Sequence, residues 1–469
     1  MRLFEILTLL LLSINVIWIS LDRKRRALHT ILVWIGALMP VLQIILEGPR
    51  WQMIPAYALT AIVLIAWLMG RGLDRSEKRP PALRWGMRSL LFLILIISIS
   101  LPVILPVPGL QAPGGEYAVG TTTLHLIDHD RNDPYAPDPS MARELLVQVW
   151  YPAEAGGSAE YAPWMESAAI VAPRIAAWLD LPSFFLNHLR LAESNALLDA
   201  RALDSAAPYP VLLFSHGYGG FRAQNTNQAQ ELASHGFIVF AVEHTYGAVV
   251  TVFPDGRVAD HNPDTLPDGL SDQESLEATR ALGEQWARDL GFALHTIDDL
   301  NDGQPVDIFH GLIDTASVGV YGHSTGGGAA IEFCTQDQRC DAVLTMDPYM
   351  KPVSAQSLET GLSVPALHMF SEGWPSEENM SRFDVFAQAS AGRLMSITIA
   401  GTEHYDFSDL PLLTPLAHTI GLKGPLPGPR VIEILNTLSV SFFEQTLMIP
   451  VGPGYTLPLE HFPEVSLFP

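Results

Sequence analysis

Across 469 residues, 48% hydrophobic and 16% charged, with 36 Gly, 36 Pro and two Cys, the composition excludes a disordered chain, a disulfide-built miniprotein and a Pro/Gly low-complexity polymer. At roughly 150 residues per domain the length accommodates two or three units. Charge is divided unevenly, with 12 Lys and Arg against 5 Asp and Glu up to Gly109 and 15 against 45 from Leu110 onward; so acidic a body lacks the cations that phosphate polyanions require, which excludes nucleic acid as a partner.

Four nearly uncharged stretches come first, with spans near residues 3–21, 27–46, 51–70 and 89–109. A helix of about 20 mostly apolar residues crosses roughly 30 Å of hydrocarbon, so residues 1–110 are expected as an all-α transmembrane region of four helices. A cleaved signal peptide is the alternative for the first span. Against it, the basic cluster Arg23-Lys24-Arg25-Arg26 follows the apolar run instead of preceding it, and no small-residue cleavage site is evident. The loop after the first span carries four Lys or Arg and residues 71–88 carry six, whereas the middle loop has only Arg50. Cations near span ends stay cytoplasmic. Both termini are therefore expected outside, giving a multi-pass cell-membrane protein with the bilayer as partner and an extracytoplasmic body. Trp18, Trp51, Trp67 and Trp85 fall near span ends as interfacial anchors would, and Trp34 does not. The spans hold no central ionisable residue of the kind that marks transport.

From about Glu116 short apolar runs alternate with helical stretches, the pattern of an α/β sheet covered by helices. The expected catalytic domain covers 111–450, followed by a tail over 451–469. Tyr117 to Ile127 and Glu144 to Tyr151 read as an opening pair of strands. Val211 to Ser215, Phe237 to Val242, Val318 to Tyr321, Ala342 to Met346, Ala366 to Phe370 and Leu394 to Ile399 are nearly continuous β-rich apolar runs suited to buried parallel strands. Helices are expected over Ala223 to Ser234, Gln273 to Leu300, Gly326 to Thr335 and Val431 to Gln445. Two insertions break the rhythm. Tyr161 to Leu191 is apolar and helix-like, suited either to ordinary core or to walling a lipid-facing pocket. Phe253 to Ser271, rich in Asp, Pro and Gly, reads as a surface loop.

The chemistry-bearing residues follow the strands. After Val211 to Ser215 comes His216-Gly217-Tyr218-Gly219-Gly220, the position from which hydrolases of this build supply one oxyanion donor, here the N–H of Tyr218. His216 and His323 are expected to brace their turns. Gly322-His-Ser-Thr-Gly326, between a strand and a helix, has the form of a nucleophile elbow: small residues allow a turn sharp enough to expose the Ser324 hydroxyl and aim the N–H of Thr325 at the reacting carbonyl. Cys334 and Cys340 are too few for a zinc site, and outside the cytoplasm they are expected to form a disulfide. A serine needs a base, and the base an acid, in the order Ser, Asp or Glu, His. Four histidines lie downstream. His368 falls in an apolar strand, His418 in an apolar helix-like stretch and His461 in the Pro-rich tail. His404 directly follows the last strand and is the expected base. Asp347 and Glu372 each follow a strand and share the expectation for the acid, while Asp341, Asp406 and Asp409 read as solvated or as local caps.

Taken together, Phe214-Ser-His-Gly-Tyr-Gly-Gly-Phe-Arg222, Leu232-Ala-Ser-His-Gly-Phe-Ile-Val239 with Val242-Glu-His244, Gly322-His-Ser-Thr-Gly326, Met346-Asp-Pro-Tyr-Met350 and Gly401-Thr-Glu-His-Tyr-Asp-Phe407 resemble the platelet-activating factor acetylhydrolase family of α/β-hydrolases, the plasma lipoprotein-associated type. The likeness covers roughly Glu116 to Leu447. It implies the α/β-hydrolase fold, Ser324 as nucleophile, His404 as base, Asp347 as acid, and Tyr218 and Thr325 as oxyanion donors. It further implies a metal- and cofactor-independent attack on short acyl esters such as the sn-2 ester of a phospholipid. The loop from His244 to Ser271 and the four spans depart from the family's usual soluble enzyme. Gly326-Gly-Gly328 is also similar to bacterial polyester and cutinase-like hydrolases, which leaves those, and a noncatalytic membrane receptor or assembly factor reusing the fold, as rival expectations.

Overall fold

The computed structural model describes residues 1–21, 27–69, 80–156, 159–205, 207–304, 307–391, 394–449 and 455–468. The basic cluster Arg23 to Arg26 and the cations from Arg71 to Arg79 lie outside the described residues. Helices α1 (Leu3–Ser20), α2 (Ala27–Leu46), α3 (Ile54–Leu68, preceded by a 3₁₀ turn at Trp51–Met53) and α4 (Pro81–Ile104) follow from the uncharged runs. Counting the 3₁₀ turn with α3, four helices among the described residues are long and apolar enough to cross a membrane. The last begins at Pro81, ahead of the span expected from residue 89, because proline is well suited to the first helical position.

These helices belong to a unit formed by Met1–Pro108, Asn187–Ala192 and Leu413–Leu416. Leu9, Leu12, Val16, Val33, Ala56, Leu59, Val63 and Leu95 make its core. Asn15 crosses from α1 to donate its amide to Leu32 O at 3.2 Å. At one end of the helices Arg50 donates to both carboxylate oxygens of Glu5, at 2.6 and 2.7 Å, with both side chains buried. An ion in an apolar setting is tolerable only when paired in this way.

The second unit comprises Gly109–Leu186, Glu193–Leu412 and Ala417–Pro469. Its elements, in order, are β1 (Ala118–Asn132), β2 (Ala142–Ala153), β3 (Tyr161–Pro163), α5 (Ala168–Trp178), β4 (Glu193–Leu198), β5 (Tyr209–Ser215), α6 (Thr226–Ser234), β6 (Ile238–Glu243), β7 (Val250–Val252), β8 (Val258–Asp260), α7 (Asp272–Asn301), β9 (Ile313–His323), α8 (Thr325–Gln336), β10 (Ala342–Met346), α9 (Ala355–Thr360), β11 (Ala366–Ser371), α10 (Glu377–Ala389), β12 (Leu394–Ile399), α11 (Gly428–Phe443) and β13 (Val465–Leu467). Eleven strands form one sheet in the order β13-β12-β11-β10-β9-β5-β6-β2-β1-β4-β3. From β6 to β12 the neighbours are parallel, and antiparallel pairs join β2 to β6 and β13 to β12. Mostly parallel strands under helices on both faces make this an α/β-hydrolase type sheet.

Period-two alternation divides the core. On β5, Val211 and Leu213 pack on one face with Leu290 and Ile297 of α7 and Ile331 of α8; Leu212 and Phe214 pack on the other with Leu232 of α6 and Leu438 and Phe442 of α11. Helix α7 starts at a Ser271–Glu274 capping box and buries Leu282, Trp286, Leu290, Ala293 and Ile297, a three-and-four spacing that presents one apolar stripe. The expected Phe253 to Ser271 loop contains β8, which pairs with β7. Within the expected tail, Val465–Leu467 adds the edge strand beside β12.

Candidate active site

Parallel register sets the ends of several strands along one edge. Ser215 of β5 pairs with Gly322 of β9, and Met346 of β10 pairs with His323. The residues just beyond those ends, His216 to Gly220, Ser324 and Asp347, therefore emerge together, as ligand-binding loops do in such sheets.

Ser324 links β9 to α8 with φ 57° and ψ −122°, left-handed backbone for a residue that carries a Cβ. Such strain costs about 1–3 kcal/mol and persists only where the surroundings impose it. Here the Ser324 N–H donates to Met346 O at 2.9 Å, and Ser324 O accepts from Tyr349 N–H at 2.9 Å and Gly328 N–H at 3.1 Å. Gly326 is required by contact: a Cβ there would lie 2.1 Å from Ser215 O. The first turn of α8 thus presses against the end of β5.

Asp347 also has a left-handed φ, 44°. Its buried carboxylate accepts from Ser371 N–H at 2.7 Å, from Ser371 Oγ–H at 2.6 Å and from His404 Nδ1–H at 3.0 Å. Burial raises the Asp347 pKa, and the two Ser371 hydrogen bonds oppose it by favouring the ionised form. His404 lies on a 3₁₀ turn after β12, its ring stacked on Trp374 with centroids 3.9 Å apart and planes 13° from parallel. Burial lowers its pKa, keeping the imidazole neutral and able to accept a proton. His323 braces this turn: its Nδ1 accepts from Gln224 Nε2–H at 3.0 Å and its Nε2–H donates to His404 O at 3.0 Å. His216 is likewise buried and bonded within its own turn, its Nδ1–H donating to Gly217 O.

Ser324, His404, His323, Gln224 and the Gly217–Phe221 turn line a cavity of about 220 Å³. Ile175, Trp178 and Leu179 supply another wall: within the apolar insertion Ala172 and Ala176 are buried while the far end of α5 faces the cavity. Gly219, at φ 65°, accepts Trp178 so closely that a Cβ would fall 2.3 Å from its ring. The root of α5 is tied to the same turn. Arg222 donates to Glu166 at 2.7 Å and to both Glu243 oxygens at 2.9 Å, and Glu166 accepts from Thr123 at 2.8 Å.

The other expected residues are placed elsewhere. Glu372 accepts from Gly401 N–H at 2.7 Å, organising the loop before His404, while the imidazole bonds Asp347. Asp406 is a local cap, accepting from Glu403 N–H at 2.9 Å. Asp409 is neither solvated nor local: it is buried and accepts from the backbone and side chain of Asn227 at 3.1 and 2.7 Å, capping the start of α6 across 182 residues. His368 is buried and shares a hydrogen bond of 2.6 Å with Thr345. His418 sits in an irregular turn near Lys423, outside any helix, and His461 in a 3₁₀ turn. Cys334 and Cys340 are joined as a disulfide. Trp374, Ser371, Gln224 and Arg222 were not singled out from the sequence. Ser371 alone had a signal, as the residue after the expected strand Ala366 to Phe370, beside a strand that Asp347 follows.

A family model described as platelet-activating factor acetylhydrolase, isoform II, matches residues 109–451. Platelet-activating factor acetylhydrolase of Cavia porcellus is 29% identical over 57% of this chain and 65% of its own length, and that of Canis lupus familiaris is 28% identical over 71% and 76%. The chain thus spans just under two thirds of the first of these relatives. Among solved structures, a ferulic acid esterase from Streptomyces cinnamoneus is similar with a TM-score of 0.63 and 26% identity, covering 77% of this chain and 100% of the esterase chain.

Proposed function

Because the chain belongs to the platelet-activating factor acetylhydrolase, isoform II family, we propose that it is a membrane-anchored serine esterase acting on short-acyl carboxylic esters, the sn-2 ester of platelet-activating-factor-like or oxidised phospholipids among them. One observation carries this reading: a strained Ser324 shares a cavity with His404, whose Nδ1–H is held by buried Asp347 at 3.0 Å. In the proposed reaction Ser324 Oγ attacks the ester carbonyl as His404 Nε2 takes its proton. Asp347 orients the imidazole and stabilises the imidazolium. The N–H groups of Tyr218 and Thr325 receive the developing oxyanion. Thr325 suits the role because the first N–H groups of a helix have no acceptor within it. His404 then protonates the leaving alcohol, and water, activated by the same imidazole, releases the acid.

The cavity supports a short acyl group. At about 220 Å³ it falls below the roughly 300–1,000 Å³ of sites that enclose drug-sized ligands. Its aromatic lining of Trp178, Tyr218, Phe221 and Tyr405 favours a second reading, esters of small aromatic acids of the kind named for the structural neighbour. Anchoring rests on the four apolar helices. An extracytoplasmic catalytic unit rests on the cation-rich loops and on the Cys334–Cys340 disulfide, which oxidising compartments preserve.

The test is fluorophosphonate labelling and p-nitrophenyl acetate hydrolysis by the full chain in detergent, beside Ser324→Ala. Both signals are expected to vanish in the variant; retained turnover rejects the assignment. Acetyl-phospholipid and feruloyl ester turnover then separates the two substrate readings.

A further inference from the structure

Beneath the Gly217–Tyr218 turn lies a second line of serine, histidine and aspartate. Ser215 closes β5, His244 follows β6, and Asp289 stands on α7; all three are fully buried. His244 Nδ1–H donates to Asp289 Oδ2 at 2.9 Å, and its Nε2 accepts the Ser215 hydroxyl at 2.9 Å. Asp289 is neutralised by Arg143, at 2.6 and 3.1 Å, and by Arg131 at 3.0 Å. Trp286 lies flat on the His244 ring, centroids 4.2 Å apart and planes 4° from parallel. None of the three lines the cavity, so this serine meets no substrate.

The line instead ends on the turn above it. The backbone N–H of His244 donates to His216 Nε2 at 3.1 Å. The opposite nitrogen of His216 donates its Nδ1–H to Gly217 O at 2.7 Å, an oxygen that also accepts from Gly220 N–H at 2.8 Å. Gly217 C=O and Tyr218 N–H belong to one planar peptide. Whatever fixes the direction of that carbonyl fixes the opposed direction of the N–H. The same carbonyl cannot rotate without breaking two buried hydrogen bonds, each costly to leave unmade.

We infer that His216 is a positioning residue for ester hydrolysis: held from behind by the sealed Ser215–His244–Asp289 line, it locks the Gly217–Tyr218 peptide with the Tyr218 N–H turned toward the oxyanion. The inference rests on the serine-esterase reading above. The bonding uses one donor and one acceptor of a neutral imidazole. Burial, followed by the neighbouring His244, holds the His216 pKa well below its ordinary value, so the ring stays neutral. Protonation would remove the acceptor on which the His244 N–H depends.

Two variants separate the two ends of the ring. In His216→Asn the side-chain amide nitrogen replaces Nδ1 as donor; in His216→Gln the amide reaches the Nε2 side and the donor to Gly217 O is lost. Each is assayed as the full chain with p-nitrophenyl acetate and with its thiono analogue, whose C=S accepts hydrogen bonds poorly. Complete loss of one oxyanion donor costs about 10²–10³ in kcat. His216→Gln is therefore expected to lose at least about tenfold in kcat on the oxygen ester, with KM within about twofold and a much smaller loss on the thionoester. The oxygen-to-sulfur rate ratio should collapse, and His216→Asn should restore most of it. Ser215→Ala, small and compatible with folding, should lower the ratio about two- to threefold, and keeps the inference testable should either His216 variant fail to fold. Equal losses on both esters, or a wild-type ratio in His216→Gln and Ser215→Ala, overturn the inference. The Ser324→Ala control tells the two failures apart: activity retained there rejects the esterase reading itself, whereas an inactive control beside an unchanged ratio rejects only the role of His216.

Discussion

Two Ser, His, Asp lines stand in the second unit, and their difference bears on what would make such a line reactive. Ser324 and His404 line a cavity, with Asp347 buried behind the imidazole; Ser215, His244 and Asp289 are all sealed away from it. The aspartate–histidine contacts are nearly equal, 3.0 and 2.9 Å. What separates them is backbone and access. Ser324 is forced to φ 57° at the head of a helix, whereas Ser215 ends a regular strand whose register it shares with Gly322. Asp289 faces two arginines and Asp347 faces a serine. Against the upward push of burial, the Arg143 guanidinium and the His244 hydrogen bond hold the Asp289 pKa below the usual carboxylate range, while burial raises that of Asp347.

The comparison breaks most sharply at the serines. Ser324→Ala should lower kcat about a million-fold, as removal of a nucleophile does in a comparable triad, while Ser215→Ala should stay within about tenfold; steady-state ester hydrolysis decides, and equal losses would erase the distinction. At the acids, Asp347→Asn should cost about ten-thousand-fold in kcat through the wrong imidazole tautomer. Glu372→Gln, at a carboxylate that accepts from Gly401 N–H, should cost about threefold or less, the change being confined to a hydrogen bond outside the reacting groups.

A smaller effect tests the packing that brings the two lines together. Gly326→Ala places a methyl 2.1 Å from Ser215 O and should destabilise the catalytic unit by about 1–3 kcal/mol, read as a lower denaturation midpoint. The smallest concerns proton affinity. His404 is held below its ordinary pKa by burial, so the acid limb of kcat/KM should fall below pH 6.5, activity being present above that limb and lost as the imidazole gains its proton. Trp374→Ala lets water reach the ring, favours the charged form, and should move the limb upward toward pH 6.5. A profile that stays in place would show that the stacked indole does not govern the titration.

The central strands were legible because a sheet buried on both faces writes itself as continuous apolar runs: the ranges of β10 and β12 were read without error, and Ser324 stood out because few turns need glycine on both sides of a serine. Asp347 and Glu372 were indistinguishable, since each merely follows a strand. Their separation depends on a left-handed φ at Asp347 and on the reach of the loop that carries His404, neither of which has a local sequence signature. The sealed line was missed for the same reason. Its members come from β5, from the end of β6 and from the middle of α7, and only the fold brings them within hydrogen-bond distance. Helices α9 and α10 are short or weakly apolar and carried no expectation, and β13 is three residues long.

The guanidinium of Arg222 belongs at once to the turn that carries Tyr218 and, through Glu166, to the root of the helix that carries Trp178. On the proposed esterase reading, an acyl group bulky enough to push the tryptophan aside would load the same ion-pair anchor that holds the turn of the proposed oxyanion donor, so the wrong guest would be penalised at the chemical step as well as at the door.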